Sequence, residues 1–61
     1  MEKRKKEIEE IVKKIEDVIS LIEYAISKLR LDHAFEPYFT VPEEFYTVIS
    51  MLSSIVEKLL S

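Results

Sequence analysis

Sixty-one residues with nine Lys and Arg against twelve Asp and Glu carry a formal charge of −3, and a stretch this short sits near the lower limit of what folds as a single copy, so one domain is expected over it. No Cys is present, which excludes a disulfide framework, a thiolate nucleophile and a Cys-based zinc site and leaves packing or self-association to supply stability. No apolar run reaches the roughly 18 residues of a membrane span and the N-terminal segment is too charged for a signal peptide, so a cytoplasmic protein without membrane attachment is expected.

Gly, Asn, Gln, Cys and Trp are all missing, while Lys, Glu and Ile are abundant. Two origins give such a composition: a hyperthermophile protein, in which charged residues rise and thermolabile ones fall, or a designed helical scaffold filled with strong helix formers. The stretch from Leu31 to Val41 is long, aromatic and free of Gly, which argues against design, because a designed connector is normally short and capped with Gly.

The first segment is amphipathic and highly charged. Ile8, Ile11, Ile15, Val18, Ile22, Ala25 and Leu29 recur at alternating spacings of 3 and 4, the a and d positions of a heptad. Val12, Ile19 and Ile26 occupy the adjoining e positions and widen the stripe to one suited to a bundle core. Opposite lie Glu9, Lys13, Glu16, Ser20, Glu23, Ser27 and Arg30, and Glu9 with Lys13 and Glu10 with Lys14 stand in the favourable i, i+4 order.

The connector follows. Asp32 is placed to cap a single turn through Glu36, which Pro37 stops, and Phe35, Tyr38 and Phe39 are expected to plug the open end of a bundle. In the second helix Pro42 suits the first turn, with Glu43 and Glu44 where the helix dipole favours anions. Thr40 with Glu43 matches a capping box, with Val41 as the alternative cap. Phe45, Val48, Leu52, Ile55 and Leu59 then repeat the a and d rhythm, with Ile49 and Val56 at e.

The chain therefore reads as one all-α domain over residues 1–61: a helix over about 2–31, a connector over about 32–41 and a helix over about 42–60. A hairpin of two long antiparallel helices cannot by itself enclose two such wide apolar faces, so a homodimer forming a four-helix bundle is expected, with a tetramer as the larger alternative. This architecture resembles that of the Rop-type dimers, in which two helical hairpins make an antiparallel four-helix bundle. The positions expected to carry self-association are Ile8, Ile11, Val12, Ile15, Val18, Ile19 and Ile22 on the first helix and Leu52, Ile55, Val56 and Leu59 on the second. With Phe45 beside Leu29, Leu52 meets Ile22 and Leu59 meets Ile15, leaving Ile8, Ile11 and Val12 without cover from their own second helix.

Chemistry-bearing residues are few. His33 is the only histidine, and with Asp32 and Glu36 it could place three ligands on one turn; the simpler reading is a polar, solvated turn, so no metal and no cofactor are expected. Glu-x-x-His motifs facing a bundle interior are absent because every interior heptad position is apolar. Without Gly there is no phosphate-binding loop or dinucleotide fingerprint, and catalysis is not expected. Lys3, Arg4, Lys5 and Lys6 form a basic cluster that could attract phosphate, and a nucleic-acid regulator is the alternative it raises. Glu2, Glu7, Glu9 and Glu10 surround the cluster, and the basic and aromatic helix face on which Rop-type bundles bind RNA is not visible, so no nucleic-acid binding is expected.

The run from Phe45 to Val56 carries no charge, and its outward positions hold Tyr46, Thr47, Ser50, Ser53 and Ser54. Small hydroxyl residues are mediocre helix formers at solvent positions. They mark a candidate face for an unidentified protein partner, flanked by Leu21, Tyr24 and Met51. The sequence thus points to a non-enzymatic interaction, adaptor or regulatory module.

Overall fold

The computed structural model describes residues 2–61, with two helices packed against each other. Helix α1 spans Glu2–Asp32 and α2 spans Glu43–Leu60. They lie side by side in a layer whose Cα extents are 53 × 15 × 11 Å. The radius of gyration is 15.4 Å, against about 10.5 Å for a compact domain of this length.

The seam between the helices uses one choice among the apolar positions. On α1, Ile8, Val12, Ile15, Ile19, Ile22, Ile26 and Leu29 turn toward α2, and Val12 (6 % exposed) and Ile26 (7 %) are the only buried side chains among the described residues. On α2 the matching half-buried set is Phe45, Ile49, Leu52, Val56 and Leu59. Both sets step by 4 and 3, so the hairpin takes the a and e positions of each helix. The d positions Ile11, Val18, Val48 and Ile55 are left outside.

This corrects the expected count of uncovered residues. Val12 is not left over: with α2 the only other element, its burial requires the last turn of α2, and Ile8 is also partly covered. The registration follows from neighbours across the hairpin. Ile22 shares a shallow cleft with Glu44, Phe45 and Val48. On the opposite side Glu23, Ile26, Ser27 and Arg30 share one with Tyr46 and Ile49.

Helix α1 runs through Asp32, which lies inside its last turn and caps nothing. The amide of His33 donates to the carbonyl of Leu29 at 3.1 Å, continuing the helical ladder. Tighter i→i+3 bonds follow, from Ala34 to Leu31 (3.3 Å), Glu36 to His33 (3.0 Å) and Phe39 to Glu36 (3.2 Å). No described residue has positive φ; without Gly a left-handed helix stop is costly, and the chain turns instead through a longer run of such bonds.

At the start of α2 the capping box does not form. Pro42 is itself the cap, with φ −53° and ψ 135°, no side-chain cap bond exists, and the first amide bond runs from Phe45 to the Pro42 carbonyl at 3.1 Å. Proline has no side-chain acceptor to offer, while Glu43 and Glu44 lie in the first turn where the dipole favours them. The exposed pairs Glu9 with Lys13 and Glu10 with Lys14 do not close to within 4 Å; the one such pair among the described residues is His33 with Glu36. Long side chains at the surface lose as much in rotamer freedom as they gain in screened attraction.

Candidate functional site

The surface of the hairpin is unequal on its two sides, and the inequality follows from where the seam runs. Because a and e positions fill the seam, the d positions of both helices emerge together on one side. Ile11, Val18, Val48 and Ile55 each keep between 42 and 48 % of their surface exposed. Helical periodicity sets them on the side of the cleft that holds Ile22, Phe45 and Val48. Ala25 completes the row on α1.

Leu21 and Met51 border the same face. Leu21 lies three residues after Val18, and Met51 lies three after Val48 and four before Ile55, so both project to that side and both are exposed. Met51 also lies four residues after Thr47 and three before Ser54, so it borders the hydroxyl-rich face as well.

The other side is polar. Tyr46, Thr47, Ser50, Ser53 and Ser54 are all exposed, away from the free d positions. Tyr46 is not free for a partner in the way expected, since Arg30 Nη2 donates to its hydroxyl at 3.1 Å across the hairpin. Thr47 Oγ1 donates to the Glu43 carbonyl one turn back at 3.2 Å, which satisfies the hydroxyl locally. What remains is Ser50, Ser53 and Ser54 on a smooth outer surface.

The elongated hairpin exposes more surface than a compact chain of its mass. The accessible area is 5550 Å², whereas a compact monomer of 7.2 kDa exposes about 4,100 Å². The excess of about 1,400 Å² exceeds the roughly 800 Å² that each partner contributes to a standard protein interface. Relative to an extended chain of the same mass, folding hides only about 47 %, against roughly 60 % for a compact 60-residue domain.

His33 acts as a pin for the connector. Its Nδ1 donates to Glu36 Oε2 at 2.9 Å, and its ring stacks on Phe39 with centroids 4.1 Å apart and an interplanar angle of 13°. Both engagements hold the connector folded back on the end of α1. Asp32 does not join them, and among the described residues no group of three or more His, Cys, Asp or Glu side chains converges as a metal site would require.

The connector aromatics divide. Phe39 is half-buried on His33, but Phe35 (99 % exposed) and Tyr38 (95 %) extend into solvent and do not plug the end of their own hairpin. The successive tight turns point them outward. Neither described helix is long and apolar enough to cross a membrane.

No family model matches this sequence, and comparison with curated proteins and with solved structures finds no match.

Of the residues singled out from the sequence, the structure gathers Ile8, Val12, Ile15, Ile19, Ile22, Leu52, Val56 and Leu59 into the hairpin's own seam. It leaves Ile11, Val18 and Ile55 on the free face. Val48 belongs with the latter and was not singled out, although its place in the d row of α2 was the available signal.

Proposed function

We propose that this chain is a non-enzymatic, self-associating helical hairpin, which pairs through its free d-position face with a second copy to form a four-helix bundle and serves as a small interaction module. One observation carries the reading: among the described residues the hairpin buries only Val12 and Ile26, while Ile11, Val18, Val48 and Ile55 line one open side. A second copy is the occupant that presents a matching apolar face, since an isologous interface brings the same patch from both sides. Two layers stacked on this face give a core flanked by four helices, with the charged face of α1 and the hydroxyl-rich face of α2 left in water.

Sedimentation equilibrium at micromolar concentration is the test. The expected mass is twice the 7.2 kDa of the chain, falling toward the single-chain value only on dilution and with loss of helicity. A helical species of single-chain mass that unfolds cooperatively would overturn the reading.

A further inference from the structure

We draw no further inference here: the strongest candidate, the exposed patch of Phe35 and Tyr38 at the connector tip, carries nothing, since Lys28 and Arg30 offset the carboxylates beside it and nothing in the structure shows what covers it.

Discussion

Glutamate at Val18 and Ile55 together should dissociate the dimer at micromolar concentration and leave a monomer without cooperative unfolding. Both side chains are exposed in the single hairpin, at 44 % each, so a protein that worked as a monomer would tolerate the change within about 0.5 kcal/mol per site. In the bundle they are interior. Fully burying an aliphatic side chain of this size is worth about 1.5 to 3 kcal/mol; the hairpin already covers more than half of each, so the four side chains of a dimer gain about 3 to 5 kcal/mol on association before the cost of placing carboxylates in an apolar interface. Since about 1.4 kcal/mol is tenfold in an equilibrium constant, the dissociation constant should rise by at least about 10². Ser50→Glu with Ser54→Glu adds the same charge on the opposite side of α2 and should leave both mass and stability nearly unchanged. If the hydroxyl-face pair dissociates the protein and the Val18 and Ile55 pair does not, the wrong face has been assigned.

Ile26→Ala is the second large effect, and it acts through the hairpin seam. Ile26 is one of the only two buried side chains among the described residues, and truncating a core Ile to Ala costs about 2 to 5 kcal/mol. A chain of this size has only about 3 to 5 kcal/mol from a single core, so the variant should be largely unfolded at 25 °C by circular dichroism. Ile26→Val should stay folded with a lower urea midpoint, reflecting a loss of about 0.5 to 1.5 kcal/mol. A fully folded Ile26→Ala with an unshifted midpoint would mean that α1 and α2 do not pack along this seam.

Much of the architecture is written in the periodicity, and what escapes it has a physical cause. The wide stripe of α1 and the matching stripe of α2 specify two long helices and a hairpin, because apolar residues at a, d and e leave a helix no way to stay single. The pattern does not say which two of those three rows the hairpin uses. Rows a with d and rows a with e have the same 4 and 3 spacing, differing by a rotation of the helix about its axis, and only packing of Val12 and Ile26 against α2 chooses between them. That choice then fixes which residues are spare, and it moves Val12 inward and Val48 outward. The connector was least legible. Composition marks it as a Gly-free turn, but the pinning of the loop by His33 on Glu36 and Phe39 depends on side-chain geometry that no spacing rule encodes. The same geometry turns Phe35 and Tyr38 away from their own hairpin.

The central claim is that the d-position face meets its copy, and isotope-filtered nuclear Overhauser spectroscopy on an equal mixture of labelled and unlabelled chains tests it most directly. The account predicts intermolecular contacts among the methyl groups of Ile11, Val18, Val48 and Ile55, with none from Thr47, Ser50 or Ser54. Intermolecular contacts confined to the hydroxyl face, or none at all in a folded sample of single-chain mass, would contradict it.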